Sequence, residues 1–131
     1  MPGETDLSTL LRSMRPQLNP GEYVFCCVDD LNKIEINDVV SIIREPEGFT
    51  VVVEKKIADQ FKLSYSFVSK WITLTVHSSL EAVGLTAAFS SALANENISC
   101  NVISGYYHDH IFLPVEKADK AMEVLMKLAA N

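Results

Sequence analysis

Histidine is the residue type of this chain with the widest chemistry at neutral pH, and all three histidines lie in the second half of the sequence. His108 and His110 flank Asp109, and His77 comes earlier. Because side chains alternate between the two faces of a strand, a His-x-His segment presents both imidazoles on one face. Clustered imidazoles contact polar ligands, bind zinc when three or four ligands converge, or form structural hydrogen bonds. The sequence leaves these three alternatives open.

A second group of candidate residues is the segment His77-Ser78-Ser79-Leu80, which joins a predicted strand to a predicted helix. Unpaired backbone N–H groups at the start of a helix attract anions such as a ligand carboxylate, and serine hydroxyls add donors. In the alternative, one serine only caps the helix. Gly84 follows inside the predicted helix, where glycine costs about 1 kcal/mol relative to alanine. Its lack of a side chain favours close approach of a neighbouring strand or of a ligand.

Hydrogen-bonding and aromatic residues follow between Asn101 and Tyr107. Asn101 and Ser104 are polar, and Tyr106 and Tyr107 lie in a predicted turn that starts at Gly105. Tyrosines in such a position suit the covering of a ligand or the surface of a partner protein. We expect these residues to form a rim beside the serine segment. Trp71, on the open face of its strand, is more typical of a contact between domains or subunits.

Hydrophobic periodicity predicts the elements that position these residues. Apolar residues at helical spacing predict a short first helix capped by Thr5 or Asp6, followed by helices over residues 55–61, 80–96 and 116–129. Alternating or apolar runs bounded by turn residues predict strands over residues 23–28, 39–44, 49–53 and 66–77, and around 98–102 and 111–113. The polar residues 29–38 are predicted to form a loop.

This order of elements predicts an α+β fold of two tandem ferredoxin-like units, with antiparallel sheets and helices packed on one face. The units are predicted to span residues 1–69 and 70–131. In such a unit the third strand lies antiparallel between the first and the second, so we expect His77 beside residues 108–110. Strand parity predicts that the core contains Ile72, Leu74, Val76, Ile111 and Leu113. The histidines should therefore share the opposite, open face.

The composition excludes several classes of function. The chain has 131 residues and a net charge of −6, and its basic residues are scattered, which argues against nucleic-acid binding. No apolar run reaches the roughly 18 residues of a membrane-spanning helix, and the acidic start is unlike a signal peptide, so we expect a cytoplasmic protein without membrane contact. Cys26, Cys27 and Cys100 lack zinc-site spacing. Familiar catalytic signatures are absent, so we expect neither an enzyme nor a bound cofactor.

The second half resembles an ACT domain through the strand Leu74-Thr75-Val76, the turn and helix of residues 78–85, and residues 101–104 and 110–114. Through residues 21–26 and 44–50, the whole chain is also similar to small bacterial two-ACT proteins of unassigned function, and in turn to the ACT-like units of the cytosolic arginine sensor. A common ACT pattern, Asp-x-Pro-Gly, enters the first helix. This chain has His77-Ser78-Ser79-Leu80 there.

The resemblance implies a non-catalytic protein that binds or senses a small effector, an amino acid in particular, and that forms a homodimer. No metal is expected. The predicted ligand-binding residues are His77, Ser78, Ser79, Leu80, Gly84, Asn101, Ser104, His108, Asp109 and His110. Two alternatives remain open: a dimeric protein-interaction module without a ligand, and a metal-binding protein that uses the histidine cluster.

Overall fold

The computed structural model describes residues 6–76 and 83–130. Within these residues the helices are α1 (Leu7–Ser13), α2 (Lys55–Gln60), α3 (Leu85–Asn95) and α4 (Ala118–Ala130). The strands are β1 (Arg15–Leu18), β2 (Tyr23–Val28), β3 (Val39–Glu45), β4 (Gly48–Glu54), β5 (Val68–Thr75), β6 (Asn101–Ser104) and β7 (His108–Pro114). Short 3₁₀ turns at Leu31–Lys33, Ile36–Asp38 and Val115–Lys117 complete the described elements.

The chain divides into two compact units. One, the inserted unit, is the continuous segment Pro20–Lys70. The other, the flanking unit, combines Met1–Asn19 with Trp71–Asn131. The fold class predicted from the sequence is confirmed: α+β, with antiparallel strand pairs and helices. The sequence predicts two domains, residues 1–69 and 70–131, and this boundary stays a prediction.

The flanking unit has the strand order β1–β5–β7–β6. β1 pairs antiparallel with β5 from Arg15 opposite Thr75 to Leu18 opposite Ile72, and β6 pairs antiparallel with β7. The core of this unit joins one face of these strands to α1, α3 and α4. Its buried residues are Leu10, Met14, Ile72, Leu74, Val76, Leu85, Phe89, Leu93, Ile98, Ile111, Leu113, Ala118, Ala121 and Leu125. The five core positions predicted from strand parity are all among them.

The inserted unit is built on the antiparallel order β3–β4–β2. The start of β5 adds to it, with Tyr23 opposite Ser69 and Val24 opposite Val68. Its buried core contains Val24, Cys26, Val28, Ile34, Val51, Val53 and Ala58. Alternate residues of β2 and β4 supply most of this core, as expected for strands that turn one face toward it.

Local signals explain the first helix well. The Oδ2 atom of Asp6 accepts hydrogen bonds from the backbone N–H and the hydroxyl of Thr9, so Asp6 is the N-cap. This contact also lowers the pKa of Asp6, because hydrogen bonds to Thr9 stabilise the carboxylate. Leu10 and Met14 are then fully buried in the flanking unit. The N-terminal segment is thereby packed against strands that come much later in the chain.

Two sequence predictions about elements are wrong. The strand β1 was not predicted, because four residues that include Pro16 show too little alternation to be distinguished from a loop. The long helix predicted from residue 80 begins only at Leu85 in the described part of the chain. Gly84 is its N-cap with φ of +101°, a left-handed conformation that glycine adopts without strain. Gly84 therefore marks the start of α3 and does not lie in its interior.

Candidate functional site

The face of the flanking unit's strands that points away from the helices carries a continuous group of aromatic rings. Trp71 of β5 stacks on Phe112 of β7, with ring centroids 6.0 Å apart and planes inclined by 17°. The Trp71 and His110 ring centroids are 5.7 Å apart. Tyr107 and His108 continue the group toward the hairpin turn. We call Trp71, Tyr107, His108, His110 and Phe112 the aromatic face.

A directional hydrogen bond orders the centre of this face. The indole Nε1–H of Trp71 donates to Nδ1 of His110 over 3.1 Å. Because an indole nitrogen can only donate, Nδ1 must carry a lone pair. His110 is therefore a neutral imidazole with its proton on Nε2. Burial lowers the pKa of His110 below its ordinary value and the neighbouring His108 lowers it further, while Asp109 acts in the opposite direction.

His108 lies edge-on to His110, with ring centroids 6.3 Å apart and planes at 87°. Its Nδ1 atom is buried and has no hydrogen-bond partner among the described residues. Burial of an unpaired polar atom costs about 1–3 kcal/mol. His108 thus lies next to His110, whose ring is held by the hydrogen bond from Trp71. No such bond holds Nδ1 of His108 among the described residues.

The turn of the β6–β7 hairpin is shaped to admit the histidines. The backbone N–H of Gly105 donates to the carbonyl of His108 over 2.8 Å and closes the turn. A Cβ atom at Gly105 would lie 3.0 Å from that carbonyl and 3.2 Å from Nε2 of His110. At the turn, Tyr106 and Tyr107 are 80% and 75% exposed and contact each other edge to face. Glycine here leaves room for the imidazole beneath the exposed tyrosines.

The structure brings part of the predicted site together. Ser104 pairs with Asp109 across the hairpin, and Asn101 pairs with Phe112, whose carbonyl accepts a hydrogen bond from the side-chain amide of Asn101 over 3.2 Å. His108 and His110 share the open face, as strand parity predicts. Asp109 alternates with them on β7 and so falls on the other side of that strand.

Two further predictions about the site have different outcomes. Residues 77–80, with His77, Ser78, Ser79 and Leu80, lie outside the described residues, so the meeting of His77 with the other histidines stays a prediction. At Gly84 a Cβ atom would lie 3.3 Å from Cδ2 of Leu7. The close neighbour that this glycine accommodates therefore belongs to helix α1, where a neighbouring strand or a ligand was expected.

The sequence reasoning missed the role of Trp71. It placed the tryptophan on the open face but did not pair it with His110. Part of this arrangement can be read from the sequence. Phe112 continues the alternation of His108 and His110, so β7 carries three ring side chains on the same face, next to the neighbouring strand. Which residue of β5 meets them depends on the register of strands far apart in the chain.

Other chemistry is limited in the described part of the chain. Residues 6–76 and 83–130 contain no group of three or more His, Cys, Asp or Glu side chains that could hold a metal ion. The three cysteines are free, and burial raises the pKa of Cys100 to about 11. A thiol with that pKa is a poor nucleophile at neutral pH. No helix in these residues is long and apolar enough to span a membrane.

A groove of about 560 Å³ lies between α3 and α4. Exposed charged and amide side chains form much of its wall. The Nζ atom of Lys120 lies 3.7 Å from Oε1 of Glu96 and 3.8 Å from Oε2 of Glu123. Ion pairs at such exposed positions stabilise a protein little. The groove is on the helical side of the flanking unit, away from the histidines.

Two models of the ACT domain match the sequence, one over residues 2–70 and the other over residues 66–127. Together they account for nearly the whole chain. The chain belongs to the ACT-domain family. The two matches meet near residues 66–70, close to the point where the inserted unit ends in the structure.

Several solved structures are similar to this ACT-domain protein in fold. A protein of unknown function from Vibrio cholerae, described as a possible transport protein, is 49% identical, with a TM-score of 0.81 over 94% of this chain and 95% of that one. A protein from Agrobacterium tumefaciens is 17% identical, with a TM-score of 0.66 over 88% and 89% of the two chains. The ligand-free regulatory subunit of aspartate kinase from Thermus thermophilus is 12% identical, with a TM-score of 0.63 over 86% and 95%. At these lower identities the likeness shows the fold. No curated protein matches the chain.

Proposed function

We propose that this ACT-domain protein binds an amino acid and acts as a non-catalytic, regulatory sensor of that ligand. The observation that carries the proposal is the pair of ACT-domain matches along one chain. The fold shared with the regulatory subunit of an aspartate kinase supports it. We take the two sequence domains to be residues 1–69 and 70–131, and we expect the protein to work in the cytoplasm as a homodimer.

The proposed ligand site lies where β5, the segment after it, and the β6–β7 hairpin meet. The segment of residues 77–80 would hold the carboxylate of the amino acid through backbone N–H groups and serine hydroxyls. Asn101, Ser104 or Asp109 would take the amine. The order of the Trp71–His110 pair supports this placement, because a binding face with fixed side chains loses less entropy when the ligand arrives.

His108 and His110 complete the proposed site, together with Gly84 at the start of α3. His108 supplies the argument for a polar ligand, since its buried Nδ1 has no hydrogen-bond partner among the described residues. A ligand that rearranges this ring would give the atom a partner and recover part of the cost of its burial. We do not propose bound metal or a cofactor at this site.

Thermal unfolding of the untagged full chain against each of the twenty amino acids tests the proposal. A ligand at one hundred times its dissociation constant should stabilise the folded state by about 2.7 kcal/mol. The amide of the active amino acid, which lacks the carboxylate, should give a much smaller shift. An absence of any shift at millimolar concentrations of all twenty would contradict the proposal.

Matched variants locate the site. Ser79→Ala and His110→Gln should reduce the ligand-dependent shift, because each removes a proposed contact. Ser99→Ala, which changes an exposed serine after α3, should leave the shift intact. If Ser79→Ala and Ser99→Ala respond alike, the ligand binds away from the segment of residues 77–80.

A second candidate function is a dimeric protein-interaction module, and one observation favours it. Within the inserted unit β3 lies at the end of the strand order, and it exposes Ile42 and Ile43 on its two faces. An exposed apolar edge strand is a template for pairing with another chain. Sedimentation at micromolar concentration would test this, with Ile43→Lys expected to weaken association. A strictly monomeric wild type would remove the candidate.

A further inference from the structure

The Trp71–His110 hydrogen bond can exist in only one protonation state of the imidazole. The indole N–H donates to Nδ1 over 3.1 Å, so Nδ1 must be unprotonated. When His110 takes up a proton, both of its ring nitrogens become donors. Two N–H groups then face each other, and the contact changes from attractive to repulsive. The bond is therefore coupled to a proton near the ordinary titration range of histidine.

The charged groups around His110 do not offset this effect. Burial and, on its own strand, the charge of His108 lower the pKa of His110. Asp109 raises this pKa, but its effect is smaller than either of the other two. On β6 the residue opposite His110 is the apolar Ile103, and the hairpin turn contributes Gly105 and two tyrosines. From β5, the described residue that contacts the ring is Trp71.

The backbone of Trp71 has hydrogen bonds of its own, which do not involve His110. The carbonyl of Trp71 accepts hydrogen bonds from the backbone N–H of Asn19 over 2.9 Å and from the side-chain amide of Asn19 over 3.2 Å. The same amide donates to the hydroxyl of Thr73 over 2.9 Å. These contacts contain no group that titrates between pH 4 and 8. The strand should therefore keep its position when the Trp71–His110 bond is lost.

The indole ring also contributes to the cover of Phe112. Phe112 is fully buried and stacks with Trp71, yet it lies on the face opposite the helical core. Trp71 is thus one of the side chains that pack on Phe112 at this face. A change in the position of the indole would alter that packing on the aromatic face, the surface that the proposed ligand site borders.

We propose that the Trp71–His110 hydrogen bond is a pH-sensitive contact: one proton on His110 breaks it and changes the surroundings of the indole ring. At neutral pH the bond is intact. In mild acid it is broken. The contact is a property of the folded chain and does not depend on a bound ligand.

The chain reports on this contact directly, because Trp71 is its only tryptophan. The experiment is a pH titration of the untagged full chain from pH 7.5 to pH 4.5. It follows tryptophan fluorescence, its quenching by acrylamide, and the single indole N–H peak in the ¹⁵N NMR spectrum. We expect all three to change together, with a midpoint below 6.5, while far-ultraviolet circular dichroism stays constant.

Two variants separate this contact from other titrations. His110→Gln, which cannot take up the proton, should lose the transition. His108→Gln should keep it with a higher midpoint, because His108 lowers the pKa of His110. An unchanged transition in folded His110→Gln would overturn the proposal.

A wild-type measurement keeps the proposal testable if His110→Gln does not fold. Side-chain ¹⁵N shifts of His110 should show the proton on Nε2 at pH 7.5, and their titration should coincide with that of the indole peak. A His110 ring that titrates while the indole peak stays fixed would overturn the proposal. So would a proton on Nδ1 at neutral pH.

Discussion

Two hairpins of this chain, β3–β4 and β6–β7, have the same antiparallel construction but very different chemistry. On the open face of β3–β4, the paired residues are Ser41 with Val52 and Ile43 with Thr50. On the open face of β6–β7, Ile103 pairs with His110, and Asn101 pairs with Phe112. The first hairpin offers methyl and hydroxyl groups, whereas the second offers two imidazoles and stacked aromatic rings.

The difference shows that the fold leaves one face of each hairpin free for local specialisation. On β4 and β7 the residues that point toward the helices, Val51, Val53, Ile111 and Leu113, are apolar and buried in a core. The residues on the opposite face do not join these cores, so their side-chain types are less restricted. Only β6–β7 is ordered on its open face by an aromatic hydrogen bond, to Trp71. Fold alone therefore does not assign function, and the site residues must carry the argument.

The largest effect should come from a buried residue on each open face. Phe112→Ala should lower the free energy of unfolding by about 3–5 kcal/mol, because it leaves a cavity beneath Trp71. Val52→Ala, at a fully buried site in the other hairpin, removes less apolar volume and should cost on the order of 2 kcal/mol. Urea unfolding of both variants measures the difference. Equal losses would mean that the aromatic face does not carry extra packing energy.

The two hairpin glycines should differ in the same experiment. Gly48→Ala should destabilise by about 1–3 kcal/mol, because Gly48 has φ of +148° and a Cβ atom there would lie 2.8 Å from the carbonyl of Val28. At Gly105 the added Cβ atom would lie 3.0 Å from the carbonyl oxygen of His108, and the residue has no left-handed φ. For Gly105→Ala we therefore expect the free energy of unfolding to fall by only about 1 kcal/mol. Its Cβ atom should also displace His110 and change the fluorescence of Trp71. A Gly105→Ala protein with wild-type fluorescence would contradict this reading of the turn.

Removal of the indole N–H should have a smaller effect on stability but a distinct effect on titration. Trp71→Phe keeps an aromatic ring over Phe112 but removes the hydrogen bond to His110. The free energy of unfolding should fall by about 1 kcal/mol. The pKa of His110 should rise, because the neutral imidazole loses the donor that stabilised it. NMR titration of His110 measures this shift. In the other hairpin, Thr50→Val removes the exposed Thr50–Glu45 hydrogen bond and should change stability by less than about 0.5 kcal/mol.

The smallest effect should be the dependence of stability on mild acid. The folded-state pKa of His110 lies below the value of about 6.5 expected for the unfolded chain. Between these two values the unfolded chain binds more protons, so stability falls as the pH falls through that window. Urea midpoints at pH 7 and pH 5 measure the loss, which should be smaller in His110→Gln. A wild type equally stable at both values, with His110 shown to titrate, would contradict the sign.

Short-range patterns predicted much of the fold. Apolar runs bounded by turn residues predicted β2, β3 and β4 to within about one residue, because strand-forming residues and turn signals are local properties of the sequence. The cap at Asp6 likewise depends on residues three positions apart. β1 and the start of α3 were missed for a different reason. β1 is a strand because β5 pairs with it, and α3 begins at Leu85 because Gly84 takes a left-handed conformation beside Leu7.

The sequence by itself determined that this is a two-part ACT-type α+β chain, that Ile111 and Leu113 are buried, and that His108 and His110 share the opposite face. Alternation along a strand is a local property, so residue order is enough to specify it. Only the tertiary structure decided that Trp71 is the partner of His110 and that its indole lies over Phe112. Those contacts depend on the register between strands almost forty positions apart, and a shift of one residue would turn Trp71 to the other face.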